Sequence, residues 1–299
     1  MSQAISGAFS EHQRLIWGLC YRMLGTVADA DEVLQETFVR ALEKRPSEER
    51  PLRPWLVRVA ANLSRDRLRK RRRRPYVGPW LPSPVDTGPM DALPWLRQVG
   101  ADDLVERVES ASFAWLLAME ALTPNQRAVL ILREVMELST GETATALDMK
   151  ESNVKVTLHR AKKALVPYRL ANRTPAPESQ AEGAMLLAQL GAALQSGDLE
   201  AVVALLTDDA EAMSDGGGVY HAALNPVVGA RRVAKLYMGL MNKGPGANYE
   251  MRIINGSPAV VTWWDRPRPG FAPFAVISID IRDSKIQKIW SVLAPQKLG

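Results

Sequence analysis

The chain has one cysteine, Cys20, and only three histidines, His12, His159 and His221. A lone cysteine cannot close an internal disulfide, so a reducing, cytoplasmic setting is expected. The histidines are scattered and lack cysteine neighbours. No zinc site can be assembled from them by spacing, and neither a metal nor another cofactor is expected. No apolar run approaches the roughly 20 residues that a spanning helix needs, so no membrane association is expected. The opening stretch MSQAISGAFSEHQR has no basic segment followed by an apolar one, which argues against a secretory signal.

What is there is the composition of a globular protein, 46% hydrophobic and 24% charged over 299 residues, enough for two or three domains. The net charge of +5 is unevenly spread. Residues 1–100 carry 17 Lys/Arg against 11 Asp/Glu, whereas residues 183–299 are close to balanced. Most of the excess lies in Arg65–Arg74, where eight of ten residues are basic. A local basic block points to a polyanion, most simply nucleic acid; a solvated tail is the plainer alternative.

Residues 11–45 read as two helices with a turn at Gly25–Thr26, and a third helix runs from Pro54 into the arginine block. A proline-rich linker follows, holding Pro75, Pro79, Pro82, Pro84, Pro89 and Pro94. Helical patterning resumes near Asp103 and ends near Ala171, before a shorter boundary at Pro175 and Pro177. Beyond residue 183 two helical stretches precede a glycine-rich turn, another helix near Ala230–Met241, and four strand-like runs. Those runs predict a separate α+β domain with an antiparallel sheet. There is no internal repeat.

Two helices carry the chemistry. Along Pro54–Arg69, Trp55, Leu56, Val59, Ala60 and Leu63 fall within about 140° of arc, a core-facing stripe. Arg58, Asn62, Arg65 and Arg69 recur on the opposite side. Guanidiniums fork onto phosphates, and an amide can read or hold a base. In the second helix, Val154, Leu158, Ala161 and Leu165 form a seam within about 60° of arc. Its other face presents Ser152, Asn153, Lys155, Val156, His159, Arg160 and Lys163. The short helix Gly141–Leu147 and a turn at Asp148–Lys150 precede it. That is a helix-turn-helix pattern, with a generic helical hairpin as the alternative.

Three stretches, YRMLGTVADADEVLQETFVRAL, RPWLVRVAANLSRDRLRKRRRR and LTPNQRAVLILRE…LHRAKKAL, resemble regions two and four of bacterial extracytoplasmic-function sigma factors. The resemblance covers roughly residues 8–170. It implies a multi-domain protein: an all-α region 2 bundle at 1–75, a linker at 76–104 and an all-α region 4 helix-turn-helix at 105–171. It further implies core RNA polymerase as partner, through the β′ clamp helices and the β flap, together with promoter DNA. Asp31, Glu32, Gln35, Glu36 and Phe38 match the polymerase-docking helix. Arg58, Asn62, Arg65, Arg69 and Lys70 match the part that melts and holds the near-start promoter element. Ser152, Asn153, Lys155, Val156, His159, Arg160 and Lys163 match the reader of the upstream element. Two positions depart from the family pattern. Asp148 stands where Gly is usual in the turn, and Lys150 stands where a Ser or Thr cap is usual.

After a short linker at 172–182, residues 183–299 resemble a SnoaL-like domain of the NTF2-like superfamily, an α+β cone. The carriers are Ser214–His221 (SDGGGVYH), with Asp215, Gly216, Gly217 and Gly218 at its centre, and Asn225-Pro226. A subgroup of these sigma factors with such an extension also has a W-L-P-x-P motif in the linker, here Trp80, Leu81, Pro82, Ser83 and Pro84. The resemblance implies regulation in cis, with no separate anti-sigma factor and a free monomer. Asp215, His221 and Asp265 are the candidates for proton transfer, but glycines after Asp215 more simply allow a close backbone approach. No catalytic residue is therefore expected. The alternatives are a polymerase-independent helix-turn-helix regulator, or a cyclase or isomerase fused to a DNA-binding module.

Overall fold

The computed structural model describes residues 2–43, 51–87, 112–168, 177–243 and 246–298. The later linker, the helical onset expected near Asp103 and the boundary at Pro175 lie outside them. The chain forms two compact units, residues 1–75 with 115–172, and residues 76–114 with 173–299. The first part of the linker thus belongs with the C-terminal unit.

The first unit begins with three helices, α1 (Ser2–Leu24), α2 (Val27–Glu43) and α3 (Leu52–Arg71). Gly25 ends α1 at φ 74°, a left-handed turn that costs a residue without Cβ little. Ile16, Leu19, Met23, Val33, Phe38, Leu56, Ala60 and Leu68 are all buried where the three helices meet. Cys20 is enclosed with them, and burial pushes its thiol up to about 12. It is a packing residue, not a nucleophile.

From Trp115 the same unit continues with the rest of α4 (Phe113–Met119), then α5 (Pro124–Leu130), α6 (Thr140–Leu147) and α7 (Glu151–Leu165). Thr123 with Gln126, and Ser139 with Glu142, form reciprocal capping boxes that start α5 and α6. The turn between α6 and α7 behaves as its residues imply. Asp148 takes φ 54° and ψ 55°, left-handed, and Lys150 caps α7 with no side-chain hydrogen bond. Lys150→Ser should therefore stabilise this unit by about 1 kcal/mol, read as a higher melting temperature. An unchanged melting temperature would show that α7 needs no cap.

The second unit packs α8 (Pro177–Ser196), α9 (Leu199–Ala204) and α10 (Ala230–Lys243) with a six-stranded sheet and a last turn of helix, α11 (Pro295–Leu298). The strands are β1 (Leu206–Asp215), β2 (Val227–Val228), β3 (Asn248–Ile254), β4 (Ser257–Trp263), β5 (Phe274–Arg282) and β6 (Lys285–Val292), in the order β2-β1-β6-β5-β4-β3. The α+β class holds, with one correction to the expected antiparallel sheet. β1 runs parallel to β6, and the sheet is mixed. Leu187, Leu190, Val202, Val233, Tyr237, Ile286 and Ile289 form the core. Trp263 and Trp264 are both half-buried.

Linker residues extend the sheet at its β3 end. Asp86 bridges Ile254, Thr87 N–H donates to Ile253 O at 2.7 Å, and Asn255 N–H donates to Val85 O at 2.8 Å. An edge strand leaves backbone groups unpaired, and here part of that row is satisfied by the linker.

Candidate functional site

On α2 the acidic residues divide. Asp31 accepts from Trp17 Nε1 at 2.7 Å, and Arg67 reaches both Asp29 (3.0 Å) and Glu32 (2.6 Å). Arg67 thereby ties α3 to α2, a role its place in a basic run conceals. Burial lowers the Arg67 pKa, but the bonds to Glu32 and Asp29 outweigh it and the net direction is up. Phe38, grouped with the docking residues, is 5% exposed and lies in the bundle core. Gln35 is exposed, Glu36 pairs with Arg40 at 2.6 Å, and Val39 and Leu42 stand out from the helix. The outward surface therefore combines Gln35, Val39 and Leu42 with the exposed carboxylate of Glu32.

On α3, Arg58 and Lys70 are exposed, whereas the other expected nucleic-acid contacts are occupied. Asn62 Nδ2 donates to Ala146 O at 2.8 Å, and Arg65 Nη1 to Leu147 O at 3.1 Å. Arg65 also holds Asn62 Oδ1 at 2.6 Å, and Arg69 donates to Asn125 Oδ1 at 3.1 Å. Burial and the neighbouring Arg69 push the Arg65 guanidinium below its ordinary value. The acceptors on Ala146 and Leu147 are the last carbonyls of α6, which no residue within the helix can satisfy.

Arg127 was not anticipated, and it is 1% exposed. Its guanidinium donates to Met23 O (2.8 Å), to Met119 O and to Glu120 Oε1 (2.7 Å), while Arg71 and Arg72 also reach Glu120. Burial pushes its pKa down to about 10, so it stays charged at neutral pH. Nothing in LTPNQRAVLILRE separates Arg127 from a surface arginine, because its partners lie in other segments.

The face of α7 is open. Ser152, Asn153, Lys155, Val156, His159, Arg160 and Lys163 are all exposed, while Val154 and Ala161 are fully buried. An apolar Val156 that is 50% exposed among cations and amides suits a thymine methyl in a major groove.

The second unit clamps the linker. Asp215 is 0% exposed and accepts from Tyr76 Oη (2.6 Å), Leu81 N–H (2.8 Å), Gly217 N–H (2.9 Å) and Lys297 Nζ (2.5 Å). Lys297 Nζ also donates to Leu81 O at 2.5 Å and lies 4.4 Å from the Trp80 ring centre and 4.8 Å from that of Tyr76. A buried ammonium thus has one carboxylate, one carbonyl and two aromatic faces. Leu81 and Pro82 are buried beside it, and Pro84 is half-buried.

The glycines explain themselves sterically. A Cβ on Gly216 would overlap the Tyr220 carbonyl, one on Gly217 would sit 2.5 Å from Gln296 Nε2, and Gly217 has φ 60°. Gly218 packs on Val77 of the linker. Asp215 is thus committed to the clamp, and His221, at the surface, has its ring edge-on to Phe271 at 5.5 Å. Asp265 is exposed. Tyr76 and Lys297 were not anticipated, since only the folded chain brings residues 76, 81, 215 and 297 together.

Among the described residues no group of three or more His, Cys, Asp or Glu could hold a metal, and no helix is long and apolar enough to cross a membrane. Residues 8–74 match the Sigma-70 region 2 family and residues 112–165 the Sigma-70 region 4 family. The chain is 32% identical to the ECF RNA polymerase sigma factor SigJ of Mycobacterium tuberculosis over 298 residues, 97% of this chain and 91% of SigJ. Its similarity to SigW of Bacillus subtilis, 32% over 156 residues, takes in 50% of this chain and 80% of SigW. The crystal structure of M. tuberculosis SigJ matches with a TM-score of 0.76, covering 98% of this chain and 97% of that one at 28% identity. The two helical regions, their order and this full-length similarity place the chain in the family of ECF RNA polymerase sigma factors, the subunits that direct RNA polymerase to promoters.

Proposed function

We propose that this sigma factor is regulated in cis, the C-terminal unit setting how often the linker is free to enter the polymerase. The observation that carries this reading is the Asp215–Lys297 pair closed over Tyr76, Trp80 and Leu81. A linker held at both its backbone and its side chains cannot at the same time extend into an active-site cleft. Tethering keeps the clamp at high effective concentration, so a separate anti-sigma factor is not required. In the polymerase-bound form, Glu32, Gln35 and Glu36 of α2, with Val39 and Leu42 beside them, dock on core polymerase in the cytoplasm, α3 holds the melted promoter strand, and α7 reads the upstream element. The C-terminal unit performs no catalytic step in this account.

Lys297→Met keeps the length of the side chain but removes the charge that closes the clamp. With core RNA polymerase, transcript yield from this variant should differ from wild type by at least about fivefold, the lower range of allosteric coupling. Equal yields would remove the clamp from the regulation of transcription.

A further inference from the structure

The second unit carries a surface that neither the clamp nor the sheet core uses. Between β4 and β5 the segment WDRPRPGFAP forms a loop, its base closed by Trp264 N–H donating to Pro273 O at 3.0 Å. Phe271 N–H donates to Arg268 O at 3.0 Å and turns the loop back. Arg266 and Arg268 are exposed and alternate with Pro267 and Pro269, whose rings fix φ and stiffen the backbone beneath both side chains. Elsewhere in this unit Arg231 holds Glu200, Arg252 holds Glu250 and Asp86, and Arg282 holds Asp209. Arg266 and Arg268 have no carboxylate partner among the described residues. Asp265 is the loop's one acidic residue, and the neighbouring loop Gly216–Pro226 has none.

That second loop brings an imidazole to the arginines. His221 N–H donates to Gly270 O at 2.8 Å, and the ring lies so close over Gly270 that a Cβ there would stand 2.5 Å from His221 Cε1. Gly270 also has φ 79°, so both space and conformation require glycine. Phe271 meets the same ring edge-on at 5.5 Å between centres, yet His221 remains exposed. Val219 (60% exposed) and Leu224 (64%) continue the apolar surface along the loop. A ring already fixed in place offers a stacking surface with little ordering left to a ligand. Aromatic platforms beside unpaired cations are the chemistry that binds single strands, through base faces and phosphates together.

We infer that these two loops form a single-stranded DNA site in the C-terminal unit, one base stacking on His221 while Arg266 and Arg268 take the flanking phosphates. A duplex keeps its base faces within the stack, so only an unpaired strand fits. A sigma factor works where promoter DNA is opened, which makes a separated DNA strand the occupant. The site goes beyond the proposed function, and it stands whether or not the assignments of α3 and α7 hold.

The test uses the full chain with labelled oligothymidylate, a DNA duplex of mixed sequence and oligouridylate. His221→Ala should lower affinity for oligothymidylate at least about fivefold, the lower end of what one stacked base contributes. His221→Phe, which keeps a ring, should retain wild-type affinity. Arg266→Ala/Arg268→Ala should flatten the salt dependence on the single strand, by about 1.4 in the slope of log K against log salt for two phosphates. Duplex affinity should not move in any of the three variants. All three positions are exposed, so melting temperatures should stay at the wild-type value. Photocrosslinking with 5-bromodeoxyuridine in the strand locates the contact, and adducts should include residues 219–221 or 264–271. Adducts confined to the first unit would overturn the proposal. So would equal losses on strand and duplex, or a His221→Phe variant as weak as His221→Ala. Tighter binding of oligouridylate than of oligothymidylate would overturn the choice of DNA and mark the site as one for RNA.

Discussion

Asp215→Ala should destabilise the C-terminal unit by about 3–5 kcal/mol and lower its melting temperature by roughly 10 °C. The reason is the charge it strands. Lys297 is 5% exposed, and without Asp215 its ammonium would lose the buried carboxylate it holds at 2.5 Å. Tyr76 Oη and the Leu81 N–H would lose their acceptor at the same time. Lys297→Met should be milder, since Asp215 would retain the three other donors. The double variant Asp215→Ala/Lys297→Met should be more stable than Asp215→Ala alone, because no buried charge is left unpaired. Thermal unfolding of the four proteins measures the coupling. Additive effects would mean the pair is not closed in solution.

Arg127→Ala should have a comparable effect on the first unit, again about 3–5 kcal/mol. It would empty the largest fully buried side-chain volume and leave the Met23 and Met119 carbonyls without their donor. Glu120 would keep Arg71 but lose its closest buried partner. Burial pushes the Glu120 carboxyl up, yet Arg127 and Arg71 pull it further the other way, and its net position lies below 4.5. A depressed carboxylate stabilises the fold above its unfolded pKa, and that contribution is lost as pH falls through the folded value. Acid sensitivity below about pH 4.5 should therefore diminish in Arg127→Ala. Urea unfolding at pH 7 and pH 4 reads both effects. An unfolding midpoint at pH 7 equal to wild type would show that Arg127 is dispensable.

The helices were legible in the sequence because each declares itself within a few turns. Leu56 and Ala60 form a stripe, and Val154 and Ala161 form a seam. The left-handed Asp148 was legible too, since few other residues replace Gly there. β1 was missed because LTDDAEAMSD is acidic and poor in β-branched residues, and its place depends on pairing with β6 in a parallel register. Phe38 lies in the segment that resembles the docking helix, but the helix period places it on the buried face with Ala30, Val33, Thr37 and Ala41.

The harder failures concern partners distant along the chain. Asn62 and Arg65 were legible as a polar face, but not that α6 covers it. Asp215 was singled out, but Lys297 lies 82 residues away and has no local signal. Its surroundings include the Trp80 and Tyr76 rings, which only the folded linker supplies.

Hydrogen–deuterium exchange of residues 76–87 in the full chain, alone and with core RNA polymerase, tests the central claim most directly. The Leu81 and Thr87 amides donate to Asp215 and to the Ile253 carbonyl, so the free chain should protect this segment. Binding to core polymerase should remove that protection as the linker leaves the C-terminal unit. A segment protected equally in both states would mean that the clamp never opens, and that transcription is regulated elsewhere.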